Sequence, residues 1–355
     1  MTQVTKPQNR NQKRKIVFCS LAGVIIVVGW LLYNNLCSTI TASSASDIRI
    51  RCRFVHPYNV KIPEGTKEIK EKAFYDCDGL ISVQIPNSVT SIGEGAFKDC
   101  RSLSHIELPN SVVSIGEYTF YNCKSLTHIV IPNSVTSIKG WAFSDCTGLV
   151  SVTIPNSVTS IEGWAFSFCK SLTSIEIPNS VTNIAYAFVG CTGLTSITIP
   201  NSVTILEGAF YDCTSLTSVI IPNSVTRIGM HAFYNCSSLT SIEIPNSVTS
   251  ISEGAFMDCS SLTDIEIPNS VTSIEESAFS NCSSLPAIDI PYGVTCIEDR
   301  AFSGCTELSY MTIPYSVTNI GCDAFKGCRW LKIELPKKFW VKAHLVEDCL
   351  SVIYY

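Results

Sequence analysis

Cysteine is the residue type in this sequence with the most chemistry to offer, because a thiol can form a disulfide, bind a metal ion or act as a nucleophile. The chain of 355 residues contains 18 cysteines. Twelve of them recur at intervals of 22 or 23 residues and lack the close CxxC pairing of zinc sites. We expect a column of buried, unpaired thiols that pack as small hydrophobic groups, although disulfides between adjacent members are sterically feasible. This thiol column comprises Cys77, Cys100, Cys123, Cys146, Cys169, Cys191, Cys213, Cys236, Cys259, Cys282, Cys305 and Cys328.

Two other pairs of residues could do chemistry from neighbouring positions. Cys296 and Cys322 lie off the thiol column in adjacent repeat units, which makes them the better candidates for a disulfide. His105 and His128 share one strand position in adjacent units, near Glu107. A metal-binding pair is the alternative there to two solvated surface histidines, which we favour. The sequence predicts no metal ion and no cofactor.

The charged side chains exclude one class of partner. The chain carries 25 Lys and Arg against 30 Asp and Glu, and five of the basic residues lie in residues 1–15, which hold no acid. The rest of the chain is therefore acidic and a poor candidate for nucleic acid, whose affinity depends on basic contacts to phosphate. An acidic stripe over three repeat units favours a cation or a basic partner, with a merely solvated face as the alternative. The stripe comprises Glu243, Asp264, Glu266 and Asp289.

A ladder of aromatic residues is the sharpest candidate for a binding site. The position just before a recurring Ala-Phe pair is usually small or polar, as at Gly95, Gly208 and Ser277, but in four successive units it is aromatic. Stacked units would align these rings about 5 Å apart. The strip is either packing between turns or an exposed platform for a protein or for the flat face of a sugar. This aromatic ladder comprises Tyr118, Trp141, Trp164 and Tyr186.

An internal repeat fixes the spacing of all these residues. Twelve phenylalanines from Phe74 to Phe325 follow one another at steps of 23 residues, with two steps of 22. The unit reads I-P-N-S-V-T-S-I-x-x-x-A-F-x-x-C-x-S-L-T-x-I-x. The residues before the proline alternate like a half-buried strand, Val-x-x-Ile predicts a second extended piece, and Ala-Phe-x-x-Cys predicts a short helical turn. One unit buries little apolar surface alone, so the units must stack into a solenoid.

The pattern L-x-x-I-x-I-P-x-x-V-x-x-I-x-x-x-A-F-x-x-C closely resembles the BspA-like, or Treponema-type, leucine-rich repeat over about residues 58–336. The resemblance implies a repeat solenoid of about twelve units with short parallel strands and short helical turns. It also implies a surface or secreted protein, and several members of the family are implicated in adhesion to host matrix proteins or to other cells. The family supplies no catalytic residues and no fixed binding residues.

The N-terminal segment predicts attachment to a membrane. Residues 16–33 are uncharged and just long enough for one transmembrane helix, which follows a basic cytoplasmic tail at residues 1–15. This segment is a signal anchor or, alternatively, a signal peptide whose removal would leave a secreted protein. Residues 34–46 are rich in small residues and read as a stalk, residues 47–336 as the solenoid with its N-terminal cap, and residues 337–355 as a C-terminal cap.

These features favour a non-catalytic binding or adhesion protein at the cell surface, with protein or glycan ligands. An enzyme is the weakest interpretation, because the repeated Ser, Thr and Asn residues offer no converging nucleophile, acid and base. The alternative is a structural coat or spacer protein without a specific ligand, to which near-identical units are also suited.

The basic tail predicts that the solenoid lies outside the cytoplasm, since basic residues stay on the cytoplasmic side. Protease added to intact cells should therefore digest residues 47–355, as followed by immunoblotting. Protection of the repeats until the cells are permeabilised would refute this topology.

Overall fold

The computed structural model describes residues 57–339, 346 and 348–355, together with three short strands nearer the N-terminus. The predicted tail (1–15) lies outside the described residues, as does the predicted membrane segment (16–33) apart from two paired two-residue strands. Within the described part of the chain, no helix is long and apolar enough to cross a membrane. The strands are, in chain order, β1 Ser20–Leu21, β2 Val24–Ile25, β3 Ser38–Thr41, β4 Tyr58–Lys61, β5 Glu68–Ile69, β6 Leu80–Gln84, β7 Ser91–Ile92, β8 His105–Glu107, β9 His128–Val130, β10 Ser137–Ile138, β11 Ser151–Thr153, β12 Ser160–Ile161, β13 Ser196–Thr198, β14 Ile205–Leu206, β15 Ser218–Ile220, β16 Arg227–Ile228, β17 Ser241–Glu243, β18 Ser250–Ile251, β19 Asp264–Glu266, β20 Ser273–Ile274, β21 Cys296–Ile297, β22 Tyr310–Thr312, β23 Asn319–Ile320, β24 Lys332–Leu335 and β25 Ser351–Tyr354.

Each repeat unit forms one coil of a parallel β-solenoid. The longer strands, which precede the Ile-Pro position, pair in parallel with their counterparts one repeat away, as Val83 does with Ile106. The two-residue strands that follow pair in the same way, and six of them form one sheet in the order β14-β16-β18-β20-β21-β23. We call these two surfaces the first and the second sheet. The predicted solenoid of short parallel strands is confirmed.

The interior consists of columns of identical or similar residue types, one residue per coil. Along the first sheet the side chains alternate exposed, buried, exposed, which directs one branched residue per strand inward. Leu, Val, Ile, Ala, Phe and Cys of the repeat fill the core. The phenylalanine rings stack on one another, from Phe74 and Phe97 at 5.0 Å between centroids to Phe302 and Phe325 at 5.9 Å. The stack makes the core continuous along the whole solenoid.

We call the Ala-Phe-x-x-Cys segment, together with the residue before it, the turn arc. The turn arc is not the short helical turn that the sequence predicts. Its alternate amides donate to the next coil instead of back along a helix, as Lys72 N does to Glu94 O at 2.9 Å and Phe74 N to Ala96 O at 2.7 Å. Two residues in every arc also have positive φ, for example Lys72 at 53° and Asp76 at 59°. Left-handed residues interrupt a right-handed helix, so the arc is a series of turns.

The thiol column is buried and hydrogen-bonded. Each cysteine after the first donates its S–H to the phenylalanine carbonyl of the preceding coil, as Cys100 does to Phe74 at 3.0 Å and Cys236 to Phe210 at 3.2 Å. That carbonyl also accepts an amide within its own coil, so both of its lone pairs are used. Burial raises the pKa of the Cys146 thiol to about 12. Every cysteine of the column is a free thiol, as the sequence predicts.

The two ends of the solenoid extend further than the repeat pattern indicates. At the N-terminal end, β3 pairs in parallel with β4, although residues 38–41 lie in the segment predicted as a stalk. At the C-terminal end, β25 pairs in parallel with β24 and begins a further coil inside the segment predicted as a cap. Phe339 and Val346 are buried, which covers part of the last core layer. Pairing at both ends supplies partners for backbone groups that an open edge would expose.

Irregularity is concentrated at the two 22-residue steps. The spacing of the phenylalanine rings increases from 5.3 Å between Phe143 and Phe166 to 5.8 Å and then 6.0 Å at the pair of Phe188 and Phe210. Residues 174–176 occupy the place of a first-sheet strand but form none, so β9 and β11 are separated from β13 and β15. The loss of one residue per coil thus coincides with a wider coil spacing and with one of several interruptions of the first sheet.

The geometry of the thiol column predicts its reactivity. Because burial suppresses the thiolate, we expect an alkylating reagent to modify exposed Cys322 in the native protein and the column cysteines only after unfolding. Mass spectrometry of native and denatured samples would measure this. Extensive native labelling at Cys146 or Cys213, or disulfides linking adjacent coils, would contradict it.

The raised thiol pKa values also predict sensitivity to alkali. An unfolded thiol ionises near pH 9, whereas the folded state holds the pKa of Cys146, Cys191 and Cys259 at about 12. A thiol whose pKa is higher in the folded state than in the unfolded state contributes stability. That contribution is complete below about pH 9 and is lost as the pH rises toward 12. We expect the melting temperature to fall steeply above pH 9, and replacement of Cys191 and Cys259 by Ala should make that fall shallower.

Candidate functional site

The aromatic ladder occupies one of the two left-handed positions of the turn arc. Tyr118, Trp141, Trp164 and Tyr186 have φ values of 54°, 54°, 64° and 54°. Of the eight other coils, three place glycine at this position, and five place a polar or charged side chain: Lys72, His231, Ser277, Arg300 and Asp323. A left-handed conformation costs about 1–2 kcal/mol for a residue with a Cβ, and bulky side chains adopt it rarely. Four successive coils thus place large rings where the backbone favours glycine.

The rings of the ladder form two stacked pairs. Tyr118 lies 5.2 Å from Trp141 between centroids with an interplanar angle of 7°, and Trp164 lies 6.0 Å from Tyr186 at the same angle. Tyr186 in turn covers Gly208, where an added Cβ would clash with the tyrosine ring. All four rings are partly buried and partly accessible to solvent. The structure therefore supports in part both interpretations of the ladder, packing between turns and an exposed platform. Each ring packs on a neighbour and leaves some surface free.

A cleft of about 430 Å³ opens beside the ladder at Trp141 and Trp164. Its floor contains Ser144 and Ser167, which occupy the position after the core phenylalanine. Tyrosine holds this position in other coils, as at Tyr121 and Tyr211, so two small residues in succession leave the space open. The cleft is lined by Lys98, Tyr118, Tyr121, Trp141, Ser144, Asp145, Trp164, Ser167 and Phe168.

Polar groups of both charges reach the cleft. The ammonium of Lys98 lies 4.8 Å from the centroid of Tyr118 and 4.9 Å from that of Tyr121, in cation–π geometry. Burial, and then the charge and hydrogen bond of Asp145, raise the pKa of the Tyr121 phenol, whose hydroxyl donates to that carboxylate. On the floor, the Ser167 hydroxyl lies 2.8 Å from Ser144 Oγ. The cleft thus combines aromatic walls with a polar floor.

Phe168 is a residue of the cleft that reasoning from the sequence missed. It holds the second left-handed position of its arc, with φ at 56°, where the other coils have only Asp, Asn or Gly. Those three residue types tolerate this conformation and phenylalanine does not. Its ring covers Gly190 of the next coil, which has no Cβ to obstruct it. The departure of one residue from an otherwise strict column was the signal that could have identified it.

A second aromatic group lies further along the same turn-arc side. Tyr211 and Tyr234 stack with centroids 4.4 Å apart, and His231 meets both rings edge-on at 6.0 Å and 5.5 Å. Burial and the carboxylate of Asp258 raise the pKa of Tyr234 to about 12. The group follows Gly208, the residue that Tyr186 covers. Aromatic side chains therefore continue from the ladder into the coils beyond it.

The acidic stripe lies on the first sheet, away from the ladder. Glu243 and Glu266 are direct partners in β17 and β19, and Asp264 lies opposite Ser241. These three carboxylates and Asp289 are exposed. The structure brings the stripe together as the sequence predicts but supplies no bound group, so its preference for a cation or basic partner stays a prediction.

The two sequence-derived pairs have different outcomes. His105 and His128 are adjacent, with centroids 6.5 Å apart, and among the residues that the structure describes no three His, Cys, Asp or Glu side chains are placed to hold a metal ion. Cys296 and Cys322, the better candidates for a disulfide, are both free thiols. The register pairs Cys296 with Asn319, whereas the Cys322 amide binds the Asp299 carboxylate.

A broad groove on the first sheet is a second candidate surface. It encloses about 1140 Å³ over the coils from residue 174 to residue 246, where the two short steps occur. Its lining consists of strand residues and the Pro-Asn turns that follow them, including Ser196, Ile220 and Asn223. The groove is lined by no aromatic side chain. It therefore offers contact area to a partner but no aromatic hot-spot residue to anchor it.

The coils and their columns define a parallel solenoid of the leucine-rich-repeat type. The chain belongs to the BspA type leucine rich repeat region family, whose repeats match residues 56–133, 113–239 and 204–332 in six copies. A leucine-rich repeat protein from Bacteroides ovatus ATCC 8483 is similar at 30% identity over 95% of this chain and 99% of its own, with a TM-score of 0.60. The pneumococcal vaccine antigen PcpA shares the fold at 20% identity over 96% of this chain and 85% of its own, with a TM-score of 0.54. No curated protein matches the sequence.

Phe168 provides a test of strain in the turn arc. In Phe168→Asn we expect the free energy of unfolding to stay within about 1 kcal/mol of wild type, because relief of about 1–2 kcal/mol of left-handed strain offsets the lost ring contact. Asn281, which lies over Gly304 in the same way, is the template for this variant. Denaturant unfolding measures the change, and a loss above about 3 kcal/mol would show that Phe168 is a core residue.

Proposed function

We propose that this protein is a non-catalytic binding or adhesion protein of the cell surface, and that the cleft at Trp141 and Trp164 holds its ligand. The observation that carries the proposal is the placement of four large rings at left-handed positions beside an open cleft. Membership of the leucine-rich-repeat family supports a scaffold role without catalysis. The ligand is a protein or a glycan.

Energetic reasoning supports a function for the rings. Strained residues persist where surrounding structure holds them in place, and they cluster at binding and catalytic sites. Tryptophan and tyrosine dominate binding hot spots because they bury a large area while few torsions are frozen. Glycine at these four positions would relieve the strain, as Gly95, Gly208 and Gly254 do in other coils. Retention of the rings therefore favours a role in binding over one in packing.

The proposed location follows from the N-terminal segment. Residues 16–33 form the membrane anchor, with residues 1–15 in the cytoplasm and the solenoid outside, or they are removed to release a secreted protein. In either case the turn arcs face the exterior and can meet ligands there. A role as a structural coat or spacer is the second candidate, because the long core and near-identical coils also suit a rigid spacer.

The double variant Trp141→Gly, Trp164→Gly tests the proposal. We expect its free energy of unfolding to change by less than about 1 kcal/mol, since relief of strain offsets the lost stacking. Binding of the purified, labelled full-length protein to intact cells, measured by flow cytometry, should fall at least about tenfold.

Two controls separate binding from folding. Tyr292→Asn removes an exposed ring far from the cleft and restores the residue that most coils have there, so it should bind normally. Phe166→Ala removes a core ring and should lose about 3–5 kcal/mol of stability. Unchanged cell binding by the double tryptophan variant would refute the role of the cleft and place the binding surface elsewhere, whereas no binding by the wild type would support the spacer role.

A further inference from the structure

The chemistry around the cleft specifies a class of ligand. Resting on the proposed binding role of the cleft, we infer that it holds a neutral carbohydrate, with a hexopyranose ring against the indoles of Trp141 and Trp164. The remaining polar residues of the cleft bind the sugar hydroxyls. The charges, the floor and the extent of the aromatic surface each contribute to this assignment.

The charges of the cleft select against an ionic ligand. Lys98 and Asp145 bring opposite charges to the same cleft, so neither a cation nor an anion finds a field of one sign. Lys98 already occupies the rings of Tyr118 and Tyr121, at 4.8 Å and 4.9 Å from their centroids. A ligand cation would have to displace that ammonium from the tyrosines, or bind at the indoles close to its like charge. A neutral ligand avoids both conflicts.

The floor of the cleft selects against a purely apolar ligand. Ser144 and Ser167 are buried and hydrogen-bonded within the protein, whereas Asp145 and Tyr121 beside them are only half-buried. An apolar side chain from a protein partner would bury the Asp145 carboxylate and the Tyr121 hydroxyl without new hydrogen bonds, which is unfavourable. Sugar hydroxyls both donate and accept, as serine hydroxyls do, and they suit a carboxylate acceptor and an ammonium donor together.

The extent of the aromatic surface favours an oligosaccharide over a single sugar. Beyond Tyr186 and Gly208, the stacked pair of Tyr211 and Tyr234 lies on the same turn-arc side, with the His231 ring edge-on to it. A chain of sugar rings that follows the solenoid axis would pass from the cleft to this second group. We therefore expect affinity to increase with the number of sugar units.

The test uses the purified full-length protein on an array of neutral mono- to hexasaccharides of hexoses and N-acetylhexosamines. Hits are then titrated by isothermal titration calorimetry, which does not depend on the tryptophans that the variants remove. We expect binding of at least one series, with affinity rising with chain length. In Trp141→Gly, Trp164→Gly the affinity should fall at least about tenfold, whereas Trp141→Tyr, Trp164→Tyr, which keeps flat rings like those of Tyr118 and Tyr186, should retain most of it.

Asp145→Asn isolates the polar part of the cleft. Asn holds the same left-handed position at Asn122 and Asn281, so this variant keeps the backbone geometry and removes only the charge. We expect it to weaken sugar binding several-fold, while Tyr292→Asn, far from the cleft, leaves it unchanged.

The outcomes separate this inference from the proposed function. Failure of the wild type to bind any array member overturns the carbohydrate assignment. If binding to intact cells then still depends on Trp141 and Trp164 and is abolished by protease treatment of the cells but not by periodate, the cleft binds a protein. Sugar binding that the double glycine variant leaves intact also overturns the assignment, because the sugar then binds elsewhere.

Discussion

Every coil of this solenoid relies on its neighbours for backbone hydrogen bonds. The turn arc shows this most directly, because Phe74 N donates 2.7 Å to Ala96 O of the next coil while its own carbonyl accepts the Cys100 thiol at 3.0 Å. The same bonds recur along the solenoid and hold the coils at the spacing of the stacked phenylalanine rings. A coil taken alone would leave these groups unpaired, so stacking and folding are one process.

This constraint determines which residues can vary. The Phe, Cys and Leu columns keep one residue type and the other core columns vary little, because a change of volume in one coil would disturb the coils on both sides. The turn arc needs two left-handed residues per coil, and Asp, Asn or Gly fills the second position in every coil except that of Phe168. The exceptions at Phe168 and along the aromatic ladder gather around one cleft. Departures from the repeat that raise the backbone energy are therefore better indicators of a binding site than variation on the exposed strands.

The two short steps add a different kind of departure. Loss of one residue coincides with a wider coil spacing near Phe188, where the ring spacing reaches 6.0 Å, and with an interruption of the first sheet at residues 174–176. The aromatic cleft lies on the preceding coils, on the turn-arc side, and the broad first-sheet groove lies over the same irregular stretch. The broad groove thus lies where the repeat is least regular, whereas the aromatic cleft lies on coils of regular length beside that stretch.

The sequence by itself determined the solenoid, its core columns, the free thiols of the column and the aromatic ladder, because a period of 22–23 residues places equivalent residues one above another. It did not determine the form of the turn arc, since left-handed residues and bonds to the next coil replace the predicted helical turn. Nor did it predict the register that separates Cys296 from Cys322, or the floor and charges of the cleft. Lys98, Ser144 and Phe168 come from the coils of Phe97, Phe143 and Phe166, and of the three only Phe168 departs from the repeat in its own coil. Only the stacking of those coils at about 5 Å, which tertiary hydrogen bonds fix, brings the three to one surface.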